Sequence, residues 1–202
     1  MHKSDLQYTR GTGILEPFLA HRRADRANRL IPFHLRNGSI LDIGCGSSPY
    51  FLAHTSFKQK FAVDQVPVNP MPVREHEIQW YQIDLNTTPK LPFEDHFFNV
   101  ITLLAVVEHL DPSSLAFLLK ETYRKLKHGG LVIITTPAAW SAGILDLMAR
   151  ISLVSAEEIK EHTFAYTLPL LGWYFGQAGF EMNKIKFGYF ELMLNMWATA
   201  IK

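Results

Sequence analysis

Asp42, Asp64 and Asp84 each stand at or near the end of a short apolar run, and Gly44 and Gly46 lie between the first two. Glycines at this spacing free the backbone to turn sharply and let a ligand come close, while strand-terminal acids accept hydrogen bonds from it. The kind of ligand follows from what the stretch lacks. A dinucleotide fingerprint wants a third glycine three residues after the second, but Pro49 is there, and the Gly-Lys-Ser/Thr of a phosphate loop is absent. Asp42, two residues before Gly44, would also repel a pyrophosphate and suits a cationic ligand better. Asp64 falls 18 residues after Gly46, about where doubly wound folds place the carboxylate that accepts from ribose hydroxyls. The residues ask for a ribose without a diphosphate, on a ligand that carries positive charge.

These side chains need a sheet to hold them. Residues 39–43 read as a first strand, followed by the glycine turn and by Ser48-Pro49 as N-cap and first helical residue. Residues 61–64 and 78–83 read as the second and third strands, with Asp84 at the carboxyl end of the third. Between them, three prolines in residues 66–72 predict an extended, stiff loop. Residues 99–104 read as an apolar run bordered by polar residues, as in a central strand buried on both faces. Asp111-Pro112 caps a helix with Leu115, Leu118, Leu119, Thr122 and Leu126 on one face; Gly129-Gly130 ends it, and residues 131–136 form the fifth strand. Further on, residues 140–154 predict an amphipathic helix, 168–178 a last helix closed by Gly179, and 180–202 an antiparallel pair turning near Phe187-Gly-Tyr189. Ahead of the first strand, residues 14–35 read as an amphipathic helix broken near Pro32. Its apolar side includes Phe18, Leu30, Ile31, Phe33 and Leu35, and Arg22, Arg23, Arg26 and Arg29 form a solvated face. The result is an α/β fold, a doubly wound, mostly parallel seven-stranded sheet with a C-terminal antiparallel hairpin and helices on both faces.

With 202 residues, 48% of them hydrophobic, one domain with a large core is the simplest organisation. A net charge of +1 excludes a strong nucleic-acid field over the whole surface, so no nucleic-acid partner is expected. Cys45, the single cysteine, has no internal partner, and no paired-cysteine spacing suggests a metal site. There is neither an apolar run long enough to span a membrane nor a signal-peptide core at the start, which predicts a cytoplasmic chain.

Five pieces together carry a family resemblance: Leu41-Asp-Ile-Gly-Cys-Gly46; Val63-Asp64; Ile83-Asp84-Leu85; Phe98-Asn-Val-Ile101 with Val107-Glu-His-Leu110; and Leu126-Lys-His-Gly-Gly-Leu-Val-Ile-Ile-Thr-Thr-Pro137. In this order they resemble the class I S-adenosylmethionine-dependent methyltransferases, and specifically the branch acting on small molecules. The resemblance implies S-adenosyl-L-methionine as cofactor, held by Asp42, Gly44, Cys45, Gly46, Asp64, Gln65, Asp84, Leu85, Ala105 and Val106. Asp84 would accept from the adenine amino group, Leu85 would lend a backbone amide, and Ala105 and Val106 would line the methionine part. It also implies one methyltransferase domain: an N-terminal helical cover (1–38), a cofactor-binding core (39–137), an acceptor-site cap (138–168), and the last helix and strands (169–202). Tyr8 and Arg10 would belong to a lid. The acceptor wall would draw on Trp140, Glu161, His162, Phe164 and Tyr166, with His109, His162 or Glu161 as base where the small-molecule acceptor must lose a proton. Two rival classes share the fold: a nicotinamide oxidoreductase, which the missing third glycine and Asp42 oppose, and a non-catalytic module that only binds the cofactor.

Overall fold

The computed structural model describes residues 15–67, 70–85, 90–144, 148, 153–154 and 164–202. Seven strands form one sheet: β1 (Ser39–Ile43), β2 (Gln59–Asp64), β3 (Ile78–Gln82), β4 (Phe98–Leu104), β5 (Leu126–Pro137), β6 (Ile185–Phe190) and β7 (Asn195–Ile201). They are ordered β3-β2-β1-β4-β5-β7-β6. The first five pair in parallel, and β7 inserts antiparallel between β5 and β6. Strand order reverses between β1 and β4, so the crevice of the switch point opens beyond their carboxyl ends.

Alternation along the strands builds two cores. Ile40, Val100, Leu131 and Ile133 face one side, where they meet Ala24 and Ala27 of α1 (Glu16–Leu30) and Phe51 and Leu52 of α2 (Tyr50–Ala53). Leu41, Ile101, Val132 and Ile134 face the other side. There they meet Leu115, Leu118 and Leu119 of one helix (Pro112–Lys125) and Leu171 and Phe175 of another (Leu168–Ala178). A short helix, α3 (Pro70–Glu75), follows α2 and precedes both in the chain, so these two helices are α4 and α5. Asp111 caps α4 by accepting from the backbone N–H groups of Ser113 (2.9 Å) and Ser114 (3.0 Å). No described helix is long and apolar enough to cross a membrane.

The structure corrects several boundaries. Residues 66–72 are not extended throughout: α3 starts at Pro70 and includes Pro72, because a first helical turn has no need of the N–H groups that proline lacks. The helix after the glycine turn starts at Tyr50, lasts four residues and has no side-chain cap, so Ser48 is not its N-cap. α1 buries Ala24 and Ala27, small enough to bring the helix close to the sheet, and leaves Phe18 exposed; Ile31 just after it is buried, and Phe33, in a separate short turn beyond Pro32, is exposed. α4 ends at Lys125 rather than at the glycines. Leu126 is already extended, and Gly129, with φ +76°, makes a kink within β5 where its N–H donates to the Lys202 carbonyl. The C-terminal pair turns at Glu191, Leu192 and Met193, with φ of +53°, +54° and +69°, instead of at Gly188. Gly188 lies inside β6 because the Trp197 ring crosses it: a Cβ there would stand 2.6 Å from the indole.

Candidate functional site

The turn after β1 is held by backbone hydrogen bonds and one carboxylate. Gly44 donates to the Val63 carbonyl at 2.8 Å, which ties the turn to β2. Asp64, at the end of β2, accepts from the Gly46 N–H on Oδ2 (2.8 Å) and from the Val66 N–H on Oδ1 (3.0 Å). Gly44 and Gly46 both take left-handed backbone conformations, φ +73° and +71°. Their surroundings differ. A Cβ on Gly44 would meet Val106 Cγ2 at 2.4 Å, while a Cβ on Gly46 would meet nothing within 4 Å. Gly44 is thus a close-packed glycine and Gly46 one that faces open space.

Beneath the turn, Asp42 is 3% exposed and takes a 2.6 Å hydrogen bond from the Thr102 hydroxyl of β4. Burial pushes its carboxyl up to about 7, with the Thr102 hydroxyl opposing the shift and the nearby Asp64 adding to it. A cation above the turn would draw Asp42 into its ionised form. The sign for stability follows from linkage. The folded protein holds the Asp42 proton more tightly than the unfolded chain, so this group's contribution falls as pH rises from about 4 through about 7, by at most ~4 kcal/mol. Denaturant unfolding of the cofactor-free protein across that window should show the decline, and Asp42→Asn should remove it. A wild-type slope unchanged in the variant would show that Asp42 is not the group responsible.

On the neighbouring strand end, the Ile83 N–H donates to the Asp64 carbonyl at 2.8 Å, which puts half-buried Asp84 just beyond β3 and beside β2. Leu85 is buried, and Gln65 is exposed with its carbonyl accepting from Gln82 Nε2 at 3.1 Å. Ala105 closes β4 with φ +57°, its N–H donating to both the carbonyl (2.9 Å) and the hydroxyl (3.2 Å) of Thr135. A left-handed alanine costs about 1–2 kcal/mol, which these bonds offset. Val106 is buried against Gly44. His109 is half-buried in the turn Val107–His109, next to the wholly buried Glu108. Desolvation of the Cys45 thiol, with Asp42 and Asp64 adding to the effect, pushes its pKa up, and its sulfur lies 3.7 Å from the Val63 carbonyl.

Asp42, Gly44, Cys45, Gly46, Asp64, Gln65, Asp84, Leu85, Ala105 and Val106 therefore gather at the carboxyl ends of β1 to β4. This donor set fits the implied group: an open glycine cradle, two strand-end carboxylates for hydroxyl and amino donors, and a buried acid for positive charge. On the acceptor side, Trp140 (55%) and Phe164 (43%) are exposed. Tyr166, 1% exposed, is core: its ring packs near Tyr174 and its hydroxyl donates to the Leu110 carbonyl at 3.4 Å, so it forms no pocket wall. Glu161, His162, Tyr8 and Arg10 lie outside the described residues. Thr102 escaped the sequence reading, although a lone hydroxyl in the apolar run 99–104 marked it.

A methyltransferase-domain family matches residues 16–185. No curated protein matches. Among solved structures, a SAM-dependent methyltransferase from Archaeoglobus fulgidus superposes with a TM-score of 0.65 at 19% identity, over 90% of this chain and 94% of that one. A putative methyltransferase from Haloferax volcanii, in complex with the Trm112 methyltransferase activator, gives 0.70 at 15% identity, over 93% and 91%. The phosphoethanolamine N-methyltransferase 2 of Haemonchus contortus, bound to phosphomonomethylethanolamine and S-adenosylhomocysteine, gives 0.65 at 15% identity, over 90% and 53%.

Proposed function

Because this chain belongs to the family of methyltransferase domains and uses S-adenosyl-L-methionine, we propose that it methylates a small-molecule acceptor by direct in-line displacement. The observation that carries this reading is the Gly46 cradle, open to the crevice and locked by Asp64, with Asp84 on the next strand end. Bound adenosylmethionine supplies a methyl carbon made electrophilic by a positively charged sulfur. The chain's own residues do the rest. Asp64 would accept from the ribose and Asp84 from the adenine amino group; Gly46 would let the backbone approach, and Ala105 and Val106 would close the methionine side. Such a site contributes mainly proximity and alignment.

No covalent enzyme intermediate is needed. Cys45 is a poor nucleophile because its thiol resists ionisation. An acceptor that carries a proton on its nucleophile meets two ionisable groups just past β4, Glu108 and His109. Net charge near zero supports a small acceptor over a nucleic acid, and the exposed Trp140 and Phe164 supply apolar surface for an organic body. Incubating the protein with methyl-labelled adenosylmethionine and cell extract, then separating small molecules from macromolecules, tests the reading. Label is expected in the small-molecule fraction. Label confined to RNA or protein, or no enzyme-dependent label, overturns it.

A further inference from the structure

The turn between β6 and β7 stands beyond the carboxyl end of β5, where Asn195 is the register partner of both Pro137 and Phe190, so it lies at the crevice end of the sheet. Three successive residues there, Glu191, Leu192 and Met193, are left-handed without a glycine among them. Such a backbone costs energy that a glycine turn would avoid, and strain kept in this way points to a use. What the turn presents is apolar: Leu192 is 92% exposed and Met193 62%. The Ala138 N–H donates to the Leu194 carbonyl at 2.9 Å, which fastens the segment leading to exposed Trp140 against the same turn. α1 adjoins the turn as well. The Arg26 guanidinium lies 5.7 Å from the centre of the Phe190 ring, and Arg22 and Arg23 are near enough to act on the Glu191 carboxyl. Along α1, Phe18, Arg22 and Arg29 are exposed.

We infer that this turn, Trp140 and the arginines of α1 form a docking surface for an anionic lipid bilayer. A side chain as exposed as Leu192 sits at a tip instead of in a groove, and a tip enters a fluid lipid interface without the matching hollow that a protein partner would need. Leucine and tryptophan suit the headgroup boundary, where their apolar parts leave water while phosphates stay within reach of neighbouring cations. Charge selects the anionic lipid. α1 carries Arg22, Arg23, Arg26 and Arg29 against Glu16 and Asp25, and His21 Nε2 is 3.3 Å from Asp25 Oδ2. Glu191, the turn's own acid, has one oxygen buried and takes the Asn195 amide on the other at 2.5 Å. It draws on Arg22 and Arg23, which leaves Arg26 and Arg29 for lipid phosphates, whose oxygens match the guanidinium fork. A nucleic acid would use the cations but leave the apolar tip in water. Docked through this turn, the protein brings the crevice end of its sheet to the lipid, so an acceptor held in the bilayer can reach the site. That supply route rests on the methyl-transfer reading above; the docking does not.

Vesicle flotation tests this with the cofactor-free protein and two lipid compositions, phosphatidylcholine alone and an equimolar mixture with phosphatidylglycerol. Binding to the anionic vesicles is expected to be saturable, at least about tenfold tighter than to the neutral ones, and weaker as salt rises. Leu192→Ser combined with Met193→Ser should weaken it at least about tenfold, and Arg22→Gln combined with Arg29→Gln at least about fivefold. Brominated phosphatidylglycerol should quench tryptophan fluorescence, and Trp140→Phe should remove that quenching. Glycerol 1-phosphate in solution should not displace the protein. No saturable binding to the anionic vesicles, equal binding to both compositions, or undiminished binding in the Leu192/Met193 double variant overturns the proposal. So does quenching that persists in Trp140→Phe, which would put another face on the bilayer, and so does displacement by glycerol 1-phosphate, which would mean a site for a free phosphate. The lipid comparison uses wild-type protein, so it does not depend on the variants folding. Because no cofactor takes part, a negative result leaves the methyl-transfer reading standing, and the labelled-methyl experiment tests that reading separately.

Discussion

Asp64→Ala is expected to weaken adenosylhomocysteine binding at least about a hundredfold, some 2.7 kcal/mol, as measured by calorimetric titration. The effect is large because one carboxylate does two tasks. In the proposed site it would accept from the ribose, and it already fixes the cradle through the N–H groups of Gly46 and Val66. Hydrogen bonds to a charged group contribute about 1.5–3 kcal/mol each, and alanine removes all of them. Asp64→Asn keeps one acceptor oxygen but turns an amide N–H₂ toward a backbone N–H, so an intermediate loss is expected. Circular dichroism separates lost binding from lost fold. A folded Asp64→Ala variant with wild-type affinity would show that neither the ribose assignment nor the tether matters for binding.

The same residue shows why the crevice was legible in the sequence. An acid at the end of an apolar run, at a fixed distance past a glycine turn, is a local pattern, and β1, β2 and β4 follow from composition alone. Patterns failed where a long-range contact decided the conformation. Gly188 resembled a turn residue, yet the crossing Trp197 ring is what requires glycine there, and the real turn uses Glu191, Leu192 and Met193 without any glycine. That displacement also hid Glu191, one of whose carboxylate oxygens is buried without a hydrogen-bond partner. Tyr166 failed in the opposite sense, for its aromatic neighbours suggested a pocket while tertiary packing placed it in the core. Phe18 is a similar case: the apolar periodicity of α1 was real, but the residues it buries against the sheet are its alanines, and the larger ring is left outward.

The glycine pair yields the second large effect, because two residues of identical type and nearly identical φ should fail in different ways. Gly44→Ala adds a left-handed alanine, about 1–2 kcal/mol, and a Cβ only 2.4 Å from Val106 Cγ2, an overpacking that typically costs about 1–3 kcal/mol more. Its unfolding free energy should fall by roughly 2–5 kcal/mol. Trimming the neighbour with Val106→Ala should recover the packing part, so the double variant should cost less than the two single changes together. The φ part would remain. Gly46→Val meets no protein atom within 4 Å, so its stability loss should stay near the backbone cost of about 1–2 kcal/mol, while adenosylhomocysteine binding disappears as the side chain fills the cradle. Denaturant unfolding and calorimetric titration of the four variants measure both axes. Cofactor binding retained in Gly46→Val would mean that the ligand does not approach the backbone there. Strictly additive losses for Gly44→Ala and Val106→Ala would mean that Val106 is not what confines position 44 to glycine.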